Sequence, residues 1–293
     1  MLYDIRLTIT YDYGAPSAQA RNVLRVMPLN RMDEQRRITG ELSVEPTPAE
    51  RVDRNDFFGN AVAEVAFRRP IEGLVLQLQS RVERIARPLR FDLSPRRARL
   101  RAELADIGLL GPDSPHHFLS PSPRVGFESD ITTFVRNILL DGGTVLSAVQ
   151  DVGRALHTEM RFDPEATDVD TSPAEAFRKR QGVCQDFSHV MIAGLRAVGI
   201  PAGYVSGFLR TEPPPGQPRL EGADAMHAWI RVWCGSEMGW IEYDPTNDIL
   251  VGADHVSVAV GRDYSDVAPV KGAVRSAGPQ VSDHSVDMIP LPG

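Results

Sequence analysis

The spacing of apolar residues changes twice along this chain, from a period of two to about 3.6 and back, and those changes most narrow the possible folds. Ile5, Leu7, Ile9 and Tyr11 alternate with Arg6, Thr8, Thr10 and Asp12, which predicts a strand with one buried face. Leu74, Leu76, Leu78 and Val82 repeat the pattern, with shorter candidates at residues 23–27, 42–44 and 61–67. Turn-forming clusters, notably Asp53-Arg54-Asn55-Asp56 and Gly59-Asn60, separate them. Residues 1–85 therefore read as an antiparallel β-domain, a sandwich or barrel. Residues 86–127 form a connector, with Arg96, Arg97, Arg99 and Arg101 on a solvated face before a proline-rich stretch. His116 and His117 lie there without a carboxylate or Cys at ligand spacing, so they read as a solvated pair.

From residue 130 the period is helical. Asp130 is positioned to cap a helix bearing Ile131, Phe134, Val135 and Ile138, and Thr144 a second with Val145, Val149, Val152 and Leu156. Ser172-Pro173-Ala174-Glu175 combines a capping box with Pro at the first helical position. Cys184 opens a further helix with Phe187, Met191, Leu195 and Val198 on its core face, ended by Gly199 and Pro201. Strand patterns follow at residues 204–209, 225–234 and 240–243, with a polar loop at 211–222. Helices followed by antiparallel strands make residues 128–270 an α+β core. Residues 271–293 read as a last strand near 282–288 and a frayed, proline-bearing end.

Composition removes several function classes. The 293 residues carry 32 Lys+Arg against 39 Asp+Glu, and 32 − 39 gives a net charge of −7. Charges of both signs are interspersed with no long basic run, which argues against nucleic acid as a partner. Nowhere do about eighteen apolar residues run together, and the first residues lack a leader pattern, so a cytoplasmic protein with no membrane partner is expected. Two cysteines, Cys184 and Cys234, exclude a disulfide framework or a Cys-rich metal cluster.

Cys184 carries the chemical interest. At a helix N-terminus, unpaired amide N–H groups and the positive end of the macrodipole favour thiolate, the nucleophilic form. The ordinary fate of an isolated Cys is a small buried hydrophobe. His227 lies in the strand of residues 225–234, on one face with Trp229, Arg231 and Trp233. Asp244 ends the next strand after a short turn, so the two should be neighbours across a hairpin, as a base and its orienting carboxylate must be. Taken singly, His227 is an ordinary satisfied histidine and Asp244 opens an Asp-Pro turn.

Three segments carry a resemblance. Gln181-Gly182-Val183-Cys184-Gln185-Asp186-Phe187-Ser188-His189, Met226-His227-Ala228-Trp229, and Gly239-Trp240 through Asp244-Pro245-Thr246-Asn247 resemble, in order, the three motifs of the transglutaminase-like superfamily. Residues 1–85 resemble the N-terminal β-domain of its bacterial members, and the stretch from Asp254-His255-Val256 to Ala268-Pro269 the segment after their core. The resemblance implies a papain-like core with Cys184 as nucleophile, His227 as general base then acid, and Asp244 fixing the imidazole. The Cys184 N–H is the natural first oxyanion donor, and Gln181, three residues upstream, is a candidate second donor competing with an ordinary surface role. Asp186 should cap first-turn amides. His189, about 140° round the helix from Cys184, is a poor base.

Rival chemistries are weaker. A zinc site from Cys184, His189, His227 and Cys234 lacks close ligand pairs, a thiol redox role lacks C-x-x-C, and phosphate-binding and calcium loops are absent. No cofactor and no metal are expected. The expected activity is thiol-dependent hydrolysis of peptide, amide or isopeptide bonds in a peptide or protein substrate, because many bacterial proteins resembling this chain are described as proteases. Cross-linking, with a lysine amine resolving the thioester, is the alternative, and a non-catalytic scaffold the third, against which an intact Cys184 speaks. The oligomeric state is not legible in the sequence.

Overall fold

The computed structural model describes residues 1–85, 89–139, 142–211, 222, 224–275 and 281–291. Most of the polar loop at residues 211–222 lies outside the described residues. The chain opens with β1 (Leu2–Leu24), β2 (Gln35–Glu45), β3 (Glu50–Asn55), β4 (Ala61–Ala66) and β5 (Ile71–Arg84). Helix α1 (Arg97–Ala105) and a 3-10 turn (Pro115–Phe118) follow, then α2 (Ser129–Ile138) and α3 (Val145–Glu159). Short β6 (Arg161–Phe162), α4 (Pro173–Lys179) and β7 (Gln181–Gly182) lead to α5 (Cys184–Ala197). The remainder is β8 (Ala202–Leu209), β9 (Ala225–Trp233), β10 (Trp240–Asp244), β11 (Ile249–Leu250), β12 (His255–Gly261), α6 (Tyr264–Val267), β13 (Val270–Arg275) and β14 (Val281–Leu291). The fold is α+β, with antiparallel β-domain and helix-on-sheet core.

Strand β1 organises the first sheet. Its first half, from Leu2 to Asp12, lies between β5 and β14, and its end, from Arg21 to Leu24, lies between β4 and β13. The alternation read from the sequence is real: Tyr3, Ile5, Leu7 and Ile9 are buried, opposite Val82, Leu78 and Leu76 of β5 and Met288 and Val286 of β14. The C-terminal segment does not fray over residues 281–291, because β14 pairs with β1 from Leu2 to Asp12 and buries Val286 and Met288. Strand β3 occupies the cluster read as a turn at Asp53, Arg54 and Asn55; it is an exposed edge strand, so no apolar alternation marks it.

The connector contains α1, concealed in the sequence by its arginines because only Leu100 and Leu104 are buried, one turn apart. Thr144 caps α3, accepting from Ser147 N–H, and Ser172 caps α4, accepting from Glu175 N–H. Asp130 is not the cap of α2: Glu128 holds that position and Asp130 lies in the first turn, where its charge complements the helix dipole.

The second sheet runs β11-β10-β9-β8-β12. Helix α5 packs on the face bearing Tyr204 and its partner Ile230, with the His189 and Tyr204 rings 5.1 Å apart. On the opposite face Trp229, Val205 and Val260 pack with Leu29 from the first domain. The free edge of β12 is covered by two side-chain amides. Gln35 accepts from Ser257 N–H (2.8 Å) and donates to the Ser257 and Leu29 carbonyls (2.7 and 2.8 Å). Asn60 accepts from Val260 N–H and donates to the Val260 carbonyl, both at 2.8 Å. Each amide supplies the donor and acceptor that a neighbouring strand would.

Candidate active site

Helix α5 starts abruptly. Arg180 ends α4 with φ 55°. Gln181 and Gly182 then run parallel to Arg161 and Phe162. Gly182 is required by close approach: a Cβ there would lie 2.5 Å from Asp186 Oδ2. That carboxylate accepts from Val183 N–H (2.8 Å) and from Thr167 Oγ1 (2.6 Å). Asp186 therefore holds the residue before the helix, rather than the first-turn amides expected from the sequence. Burial pushes the Asp186 carboxyl up, opposed by the bonds from Thr167 and Val183. Cys184, half-buried at the first helical position, keeps its N–H among the donors that a helix cannot pair internally.

His227 and Asp244 come from neighbouring strands. The β9–β10 register ends at Ile230 opposite Tyr243, so Asp244 falls diagonally from His227, and His227 Nε2 lies 2.8 Å from Asp244 Oδ2. With Nε2 engaged, Nδ1 is the nitrogen left for Cys184, whose thiol is among the groups that act on the ring. Burial pulls the His227 imidazolium down, but the bond to Asp244 and the interaction with Cys184 outweigh it and the ring is pushed up to about 10.

Asp244 is wholly buried yet well supplied with donors. Its Oδ1 accepts from the N–H groups of Thr246 (2.9 Å) and Asn247 (3.2 Å), so the Asp-Pro turn and the site are one structure. Its Oδ2 also accepts from Asn247 Nδ2 (2.7 Å) and faces His255 Nε2 at 3.2 Å. Burial raises the Asp244 carboxyl, but bonds to His227 and His255 more than reverse this and hold it well below the usual carboxylate range. The contacts of His255 and Asn247 were missed in the sequence, although both residues stand in segments that carried the resemblance.

The other candidates are placed elsewhere. Gln181 lies half-buried on β7, and among the described residues no hydrogen bond of its side chain is found. His189 Nε2 accepts from Tyr264 N–H (3.2 Å), and burial pulls its ring down to about 4. Cys234 is buried beyond the end of β9, and desolvation pushes its thiol up to about 12. His116 and His117 bond to backbone carbonyls of Ile107 and of Leu110 and Gly111, rather than standing as a solvated pair. Among the described residues, His227, Asp244 and His255 alone bring potential metal-donor atoms within 4.8 Å of one another. Those atoms already bond to one another, and a metal ion would have to displace the His227–Asp244 contact.

Comparison with known proteins agrees with this architecture. Residues 132–245 match the model of the transglutaminase-like superfamily, and residues 3–83 that of the bacterial transglutaminase-like N-terminal region. An uncharacterised protein of Mycobacterium tuberculosis is 33% identical over 293 residues, covering 97% of this chain and 89% of the relative. A protein-glutamine gamma-glutamyltransferase of Pseudomonas aeruginosa is 37% identical over 87 residues, 29% of this chain and 13% of its own. The crystal structure of a proposed cysteine protease from Cytophaga hutchinsonii superposes with a TM-score of 0.75 at 22% identity, covering 100% of this chain and 91% of that one.

Proposed function

The chain belongs to the transglutaminase-like superfamily, and from that membership we propose that it is a thiol-dependent acyl-transfer enzyme, with Cys184 as nucleophile and water as the usual acceptor. The observation that carries this reading is His227 bonded to Asp244 through Nε2, with Cys184 at the start of α5 among the groups that act on its ring. His227 Nδ1 takes the thiol proton, and the Cys184 sulfur attacks the carbonyl carbon of a carboxamide. The oxyanion that forms lies against the Cys184 N–H at the start of α5. Protonated His227 gives its proton to the departing nitrogen, the C–N bond breaks, and a thioester remains on Cys184. Water then attacks the thioester as His227 takes a proton, and collapse releases the carboxylic acid and restores the thiol.

Asp244 orients the ring and stabilises the imidazolium without taking the proton. Its donors keep it ionised in a buried setting where a lone carboxylate would protonate. The substrate class is a peptide or protein bearing an amide or isopeptide bond. Cross-linking is a second reading, favoured by the local identity to the Pseudomonas gamma-glutamyltransferase. It shares the acylation half-reaction and differs only in the acceptor. Glutamine-containing peptides incubated with and without a labelled primary amine separate the two. Ammonia or peptide release without label incorporation supports hydrolysis, incorporation supports cross-linking, and no thioester on Cys184 with a broad peptide library defeats both.

A further inference from the structure

His255 is not needed by the reaction as just described, yet β12 delivers it to the centre of the site. Its ring is 2% exposed and packs edge-on against Trp229 at 5.1 Å. Its Nε2 lies 3.2 Å from Asp244 Oδ2, the same oxygen that His227 engages at 2.8 Å. Among the described residues its Nδ1 is buried with no hydrogen-bond partner. A doubly protonated ring would bury an unmatched N–H, and a ring protonated at Nδ1 would set two acceptors against each other across the Nε2–Oδ2 contact. The neutral Nε2–H form satisfies the geometry.

We infer that His255 is a positioning residue: its Nε2–H donates to Asp244 Oδ2 and locks the carboxylate in the orientation that His227 requires, an inference resting on the thiol reading above. Without it, Oδ2 would keep Asn247 and His227, while the β12 side of the carboxylate would lose its donor. The carboxylate could then swing, and the Nδ1 of His227 would face Cys184 for a smaller fraction of the time.

The test uses the intact chain and the variants His255→Gln and His255→Met, which are similar in length but differ in whether they donate. Iodoacetamide labelling of Cys184 near pH 7 is followed by mass spectrometry, with Cys234 as internal reference and thermal melting as the check on folding. His255→Met should slow Cys184 labelling roughly tenfold, and His255→Gln should restore most of the native rate. Equal rates in the two folded variants overturn the inference. Nitrogen NMR of the native protein gives a reading that no folding defect can obscure: His255 should be in the Nε2–H form, and an Nδ1–H form overturns the inference. Labelling needs no substrate. If peptides fail to acylate Cys184, the reaction proposed above falls, while the response of labelling to residue 255 still decides the role of His255.

Discussion

Five donors converge on the Asp244 carboxylate: His227, His255 and the Asn247 amide on Oδ2, and the Thr246 and Asn247 N–H groups on Oδ1. An Asp244→Asn substitution retains the volume but presents an amide that can no longer accept at both positions. It should slow acylation of Cys184 by roughly 10²–10⁴-fold with folding retained, read from single-turnover thioester formation. Cys184 should react with iodoacetamide much faster than Cys234 near pH 7, and His227→Ala should abolish the difference. Equal labelling of the two thiols in the native protein would count against an activated nucleophile. Because the His227 ring is pushed up to about 10, its imidazolium survives far above the ordinary value of about 6.5. The stability this contributes is full below about 6.5 and is lost as pH rises through about 10. The alkaline limb of kcat/KM should therefore lie near pH 10, and a limb near 6.5 would contradict it.

At the scale of elements, the start of α5 depends on a glycine and an acid acting together. Gly182→Ala would push the Asp186 carboxylate off Val183 N–H, since the new methyl would sit 2.5 Å from Asp186 Oδ2. A loss of about 1–3 kcal/mol in urea unfolding is expected, with slower Cys184 labelling. His189 ties α5 to α6 through the Tyr264 N–H, and it must be neutral to accept that bond. Burial pulls its ring to about 4, so the folded state loses stability as pH falls from about 6.5 toward 4. Urea midpoints at pH 7.5, 6 and 5 should decline in that window, and His189→Asn should flatten the decline. Elements with a buried stripe, such as α3 and β5, were legible as sequence patterns. Strand β3 and helix α1 were not, because β3 is exposed along its length and α1 buries only Leu100 and Leu104.

On the scale of the whole molecule, the first domain supplies a missing edge to the second. Gln35 and Asn60 bond to Ser257 and Val260 of β12, the strand that also carries His255. A partly buried ionic group adds to the join, since Arg31 lies 2.5 Å and Arg84 4.0 Å from Glu242 on β10. Burial raises the Glu242 carboxyl, but those arginines and Trp229 Nε1–H bring it down to about 2. Gln35→Leu would strand Ser257 N–H and should cost about 1–3 kcal/mol, measured by urea unfolding. It should also lower activity through β12, whereas a substitution at exposed Glu41 should leave both unchanged.

Local order was determined by sequence alone: a helix that begins at Cys184, a strand holding His227, and a following strand that ends at Asp244. These are short-range consequences of period, capping and turn length, and each is complete within a few residues. Tertiary structure alone decided which distant groups share a carboxylate and which amides close an edge. Gln35 meets Ser257 across 222 residues and Asn60 meets Val260 across 200. Those partners are chosen by the buried peptide groups of β12, which must find a donor and an acceptor wherever the packed chain offers them.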